Sequence, residues 1–284
     1  RVLALQRLLK DRNARVLIIS KTATVARRRV DQMRRDLEEN GRIVGDFGAF
    51  SPRARNIAAG RRAASDEKWT SSEFYVVGRG NARDPSCEGV GVLGAITGGH
   101  FDLIILDDPV EYGDAQSATK RDAVWEWFGA TVDGLCEPHT QIVIIGTRKH
   151  GDDLYARLEE EDPTFRVHVD KAMLEWPADT QWQEEEHDGR KVIVGCTVQG
   201  GKSLWPERWS VDRLMLKYRA NSVAFRREYQ NELVDEESGL FKRVYFTGGE
   251  TSLIPGLEFP GCLEKTKLLI PPGRGYVQPD GLPI

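Results

Sequence analysis

Two adjacent carboxylates, Asp107 and Asp108, close the apolar run Phe101-Asp-Leu-Ile-Ile-Leu and are followed at once by Pro109. A second apolar run, Gln141-Ile-Val-Ile-Ile, ends in the small, polar and basic tip Gly146-Thr147-Arg148. Each run is short and rich in Ile, Leu and Val, the pattern of a strand covered on both faces. Ligands of open α/β sheets bind at the carboxyl ends of parallel strands. A paired acid and a Thr-Arg tip delivered to that edge therefore predict one half of a nucleoside triphosphate site. Two carboxylates at a buried strand end are costly without a cation. Mg²⁺ suits them, because it takes oxygen ligands and is usually held by one or two carboxylates plus substrate phosphates. In that chemistry the first acid orients the metal and the second polarises the attacking water. The tip would sense the γ-phosphate or relay its loss. The competing reading is structural, since Asp-Asp-Pro is also ordinary turn chemistry.

The elements that must hold these residues alternate between strand and helix. Residues 2–11 read as the end of a helix, and Arg15-Val-Leu-Ile-Ile-Ser20 as a buried strand. A helix follows, capped by Thr22 or Thr24, with Val25, Val30, Met33 and Leu37 on one face and Gly41 closing it. A basic loop from Ser51 to Arg62 and a strand at Phe74–Val77 lead into a glycine-rich stretch from Gly78 to Gly99. After the acid strand, a helix from Ser117 or Thr119 runs through Trp127 and Val132, and another covers Asp152–Leu158. This alternation predicts an α/β fold with a mostly parallel sheet flanked by helices. Beyond residue 163 the pattern shifts to more exposed strands, Phe165–Val169 and Lys191–Val194, and then to short helices at 210–219 and 222–231. From about residue 236 the chain is rich in Gly and Pro and reads as a linker.

Composition narrows the classes. The chain has 284 residues, 40% hydrophobic and 30% charged, enough for one large domain or two smaller ones. No apolar run is long enough to span a membrane. Cys87, Cys136, Cys196 and Cys262 form no CxxC pair, which argues against zinc and favours a reducing setting. Residues 1–64 carry 16 Lys/Arg against 6 Asp/Glu, whereas the remainder carries 24 against 38. A basic segment beside an acidic remainder attracts a polyanion to one face only. Arg53, Arg55, Arg61 and Arg62, near Trp69, are candidates for phosphate-backbone contacts, and Arg79 or Arg83 for an arginine finger supplied to a neighbouring subunit. For each of these arginines a solvated surface is the competing role.

Gly200-Gly201-Lys202-Ser203 imitates the end of a phosphate-binding loop, but the position that requires the earlier glycine is Cys196, and Pro206 stands where a helix would open. No other segment matches GxxxxGK[ST]. Since residues 2–11 read as the end of the helix that follows such a loop, the loop is expected upstream of Arg1.

In this order, the motifs resemble the ATPase part of the large terminase subunit of tailed bacteriophages, the DNA-packaging motor. The likeness is carried by Arg15–Thr22, Ile96–Val110, Trp125-Glu-Trp127, Ile145–Tyr155, Leu204–Trp209 and Phe225–Asn231. It implies a P-loop NTPase core (RecA/ASCE-like) at residues 1–163, a small lid subdomain at 164–235, and a linker at 236–284 toward a metal-dependent nuclease. It implies ATP and Mg²⁺ as cofactors, Asp107 on the metal, and Asp108 as the catalytic carboxylate. Glu111 is a substitute for Asp108, because the family often has Glu at that position. Gly146-Thr147-Arg148 would be the coupling motif. Implied partners are double-stranded DNA, the portal protein, the small terminase subunit and further copies in a ring of five. The setting would be the cytoplasm of the infected bacterium, docked on the procapsid. A helicase-type DNA remodeller and a non-hydrolysing assembly module that binds DNA or portal are the alternatives.

Overall fold

The computed structural model describes residues 1–60, 68–80, 83–94, 96, 99–187 and 190–233. Arg61, Arg62 and the expected linker lie outside the described residues. The chain divides into two compact units between Val169 and Asp170.

The first unit is built on a five-stranded sheet. Its strands are β1 (Val16–Ser20), β2 (Glu73–Phe74), β3 (Cys87–Gly91), β4 (Phe101–Asp107) and β5 (Cys136–Ile145), in the order β2-β3-β1-β4-β5. β3, β1, β4 and β5 run parallel, and only β2 pairs antiparallel, with β3. The expected α/β class with a mostly parallel, helix-flanked sheet is what the chain forms.

Strand alternation divides the buried residues between the two faces. On one face, Val16, Ile18, Leu103 and Ile105 meet Ala4 and Leu8 of α1 (Val2–Lys10) and Val30, Met33 and Leu37 of α2 (Ala23–Glu39). On the other, Leu17, Ile19, Ile104 and Leu106 meet Trp127 of α6 (Ala118–Trp127), and Leu154 and Leu158 of α7 (Leu154–Glu161). A single π-helical turn, Phe128–Val132, extends α6 and contributes Phe128 and Val132 to that second core.

Several local expectations need correction. Gly41 does not close α2: Asn40 ends it and at once caps α3 (Gly41–Phe47), accepting from the backbone N–H groups of Arg42 and Ile43. The basic stretch after Ser51 is not a loop throughout, because the Ser51 hydroxyl caps α4 (Pro52–Ala58), with Pro52 in the first turn where its missing N–H costs nothing. The strand expected at 74–77 is only Glu73–Phe74. β3 arises from the glycine-rich Cys-Glu-Gly-Val-Gly, a poor strand sequence by propensity. Its glycines answer to packing. A Cβ on Gly89 would lie 2.8 Å from Val30, and one on Gly91 2.7 Å from the Ala23 backbone nitrogen, so α2 rests directly on this strand.

The second unit begins at Asp170 and has its own core of Met173, Leu214, Met215 and Phe225. It holds an antiparallel hairpin, β7 (Asp179–His187) with β8 (Arg190–Gln199). It also holds a short pair, β6 (Met173–Glu175) with β9 (Lys202–Ser203), and the helices α8 (Val211–Ala220) and α9 (Ser222–Gln230). The expected strand at 165–169 does not form; instead Phe165 packs on Phe128, ring centroids 6.3 Å apart, within the first unit. Gly200 and Gly201 have φ of +72° and +88°, turning β8 into β9, and Lys202 opens a strand rather than a helix. The phosphate-loop imitation is therefore a tight turn between strands of two different sheets.

Candidate functional site

Register brings the motifs to one edge. In the parallel ladders Ser20 lies level with Gly91 and with Asp107, and Asp107 lies level with Ile145. The carboxyl ends of β1, β4 and β5 thus coincide, and the residues that follow them, Lys21-Thr22, Asp108 and Gly146-Thr147-Arg148, leave the sheet side by side. The α2 amino end is here too, since Thr22 is its cap and accepts from the Val25 N–H.

Asp107 is the last residue of β4 and is partly buried. Its Oδ2 accepts a hydrogen bond from Nε of Arg29 at 2.9 Å. Arg29 stands almost two turns into α2, and helical side chains lean back toward the amino end of their helix, which carries its guanidinium to the strand exit. The Asp108 backbone N–H donates to the Ile145 carbonyl at 2.8 Å, prolonging the β4–β5 ladder by one residue. Asp108 then adopts φ +51°, the left-handed region that non-glycine residues enter at a cost, and its side chain is exposed.

Beside the acid pair lies a pocket lined by Lys21, Pro109, Val110, Glu111, Asp114 and Lys120, among others. Lys21 and Lys120 both pair with Asp114, and the Lys21 Nζ is 3.9 Å from a Glu111 carboxylate oxygen. Glu111 stands at the start of α5 (Tyr112–Ala115) with most of its side chain in solvent.

Gly146 is required by sterics. A Cβ there would overlap the Tyr155 hydroxyl oxygen, so Tyr155 occupies the space that a side chain would need. Burial, reinforced by the nearby charge of Asp108, pushes the Tyr155 hydroxyl well above its ordinary pKa. Arg148 reaches Glu159 at 3.3 Å. The loop after Arg148 is tied down by Asp153, fully buried, whose carboxylate accepts from the Lys149 N–H at 2.7 Å, the His150 N–H at 3.1 Å and the Ala156 N–H at 3.1 Å. One side chain thereby caps α7 and fixes the exit of β5.

Arg79 is not brought to this edge. Its guanidinium donates to the Asp84 carbonyl and lies 5.6 Å from the Tyr75 ring centroid. Asp84 in turn pairs with Arg15, which pairs with Asp102 at the start of β4. Arg79 therefore sits at the amino ends of the strands, about 20 Å of β4 away from Asp107. Burial lowers its pKa. Arg53 and Arg55 are exposed on α4, while Trp69 is structural, donating to Glu38 at 3.1 Å and packing on Phe74 at 4.9 Å.

The residues that sequence reasoning did not single out are Arg29, Lys21, Asp153 and Tyr155. Lys21 follows directly on β1, so the carboxyl-edge rule applies to it as much as to Asp107. Arg29 is hidden among neighbouring arginines, and only the tertiary fold distinguishes it.

The donor set fits Mg²⁺. Among the described residues no cluster of three or more His, Cys, Asp or Glu forms a closed metal cage. One or two carboxylates at an open edge suit a cation that takes its remaining oxygens from phosphate and water, although Arg29 already neutralises the first of them. No protein-family model matches the chain, and no curated protein matches it.

Proposed function

We propose that the first unit is a Mg²⁺-dependent ATPase of the P-loop class, working as the motor of a viral DNA-packaging enzyme that translocates double-stranded DNA into a procapsid. The observation that carries this reading is the shared carboxyl edge, where one register holds Asp107 level with the exit of the Gly146-Thr147-Arg148 strand.

Strand order supports it further. β1 to β3 crosses over by α2 on one face, and β4 to β5 crosses over by α6 on the other, so both connections have the same hand. Parallel crossovers are right-handed almost without exception. α1 lies on the α2 face, so a parallel strand feeding α1 with that hand would have to pair beyond β4, on the edge of β5 that is free among the described residues. A phosphate loop between that strand and α1 would open beside Gly146 and the acid pair.

In the proposed reaction Mg²⁺ would neutralise charge on the β- and γ-phosphates. Asp107 would hold that cation, and Asp108 would orient water for in-line attack and accept its proton. The exit of β5, clamped by Tyr155 and Asp153, would pass the change to Arg148. Double-stranded DNA, a portal, a small terminase subunit and a ring of copies in the host cytoplasm belong to the same proposal.

The test is DNA-stimulated ATP hydrolysis by the full-length protein beside its Asp108→Asn variant. Loss of a positioned base is expected to cost ~10²–10⁴-fold in rate. Equal rates would move the role to Glu111, and absence of hydrolysis in both would overturn the motor reading.

A further inference from the structure

The arginines of α2 divide by partner. Arg34 pairs along its own helix with Asp31 at 2.9 Å and Glu38 at 3.4 Å, and Arg35 pairs with Asp31 at 2.9 Å. Arg29 instead crosses to the end of β4 and sits on Asp107. That contact occupies Oδ2 of the carboxylate assigned above to the metal.

A guanidinium on Oδ2 and a divalent cation on the same carboxylate draw on one negative charge, and their like charges repel at short range, so each weakens the other's hold. We infer that Arg29 is a resident competitor for the cation site: it neutralises Asp107 while the site is unloaded and weakens that carboxylate's hold on a divalent cation until it swings away. The inference rests on the reading of Asp107 as a metal ligand. Arg29 therefore sets how much divalent cation, and by linkage how much phosphate delivered with it, is needed to load the edge.

The geometry suits an exchangeable latch rather than a permanent strut. The Arg29 side chain is 43% exposed and that of Asp107 30%, so the released guanidinium has solvent to enter. Ion pairs of this exposure are weak and are readily exchanged for a stronger partner. The helix itself is held by Ala26, Val30, Met33 and Leu37, none of which depends on the pair.

The experiment is a titration of the 284-residue chain with Mn²⁺ alone, reading free Mn²⁺ by electron paramagnetic resonance. The wild type is compared with Arg29→Gln, Arg29→Lys and Asp107→Asn, after circular dichroism shows that each is folded. Arg29→Gln is expected to bind Mn²⁺ roughly two- to fivefold more tightly, the range set by an exposed ion pair. Arg29→Lys, which keeps the charge, should stay near wild type, and Asp107→Asn should lose the site. Equal affinity in wild type and Arg29→Gln, with binding still lost in Asp107→Asn, would overturn the latch while leaving the metal assignment standing. Binding indifferent to Asp107 would remove the metal assignment and the latch together.

Discussion

Asp108 combines an exposed carboxylate with a backbone conformation that costs free energy. At φ +51° its Cβ crowds the backbone, and strain of this kind collects where geometry serves a site. Glycine has no such penalty, so Asp108→Gly should be more stable to urea than Asp108→Ala by about 1 kcal/mol. Both variants lack the proposed base, so the stability difference would appear with no difference in hydrolysis. At the opposite end of the same strand the charge works for the fold. Burial pushes the Asp102 carboxyl up, but hydrogen bonds from Arg15 and His139 outweigh it and bring it down to about 2, against an ordinary 3.8. Because the folded value is the lower one, this stabilisation is complete above about pH 4 and lost as pH falls toward 2. Urea titrations across that window should show the wild type losing about 2 kcal/mol through this group. Asp102→Asn should lack that slope and be the less stable protein at pH 7.

Among the elements, β3 and α2 approach at the level of the backbone. A methyl group at Gly91 would meet the α2 backbone at Ala23, which cannot swing aside as a side chain tip can. Gly91→Ala should therefore cost about 1–3 kcal/mol in urea unfolding, as overpacking does. Gly41→Ala, with nothing within 4 Å of its added methyl, should be neutral or stabilising by up to ~1 kcal/mol. The contrast explains what could be read from residue order. β1 and β4 were legible because runs of Val, Ile and Leu mark strands buried on both faces, β5 because it carries a similar run although it is only half-buried, and α2 because its apolar stripe and Thr22 cap are local signals. β3 was not, since its glycines answer to a helix that arrives from elsewhere in the sequence. β7 was equally hidden: Asp-Thr-Gln-Trp-Gln-Glu-Glu-Glu-His has little apolar alternation, and it is a strand because β8 pairs with it along its length. Asp107, Asp108 and Gly146 could be located in advance, as ends of apolar runs. That Arg29 would meet Asp107, or Tyr155 fill the space at Gly146, depends on contacts that no local pattern encodes.

For the whole molecule, the division at Asp170 predicts two unfolding events. The second unit gathers its aromatic rings around Phe225, which is 1% exposed, stacks on Tyr229 at 5.2 Å and meets Tyr218 edge-on at 5.7 Å. Truncating such a ring leaves a cavity lined by partners that relax only partly, a loss of about 3–5 kcal/mol. The first unit has an independent reporter in Cys87, fully buried in β3 with its thiol pKa raised by that burial. With separate cores, Phe225→Ala should lower the urea midpoint for alkylation of Cys196, on β8 in the second unit, and leave that of Cys87 unchanged. Pulsed alkylation read by peptide mass spectrometry distinguishes the two thiols. A shift of both midpoints together would mean that the units unfold as one cooperative body. Separate midpoints would mean that the carboxyl-edge site is held by its own core alone, so that changes in the second unit could alter activity only through what that unit touches.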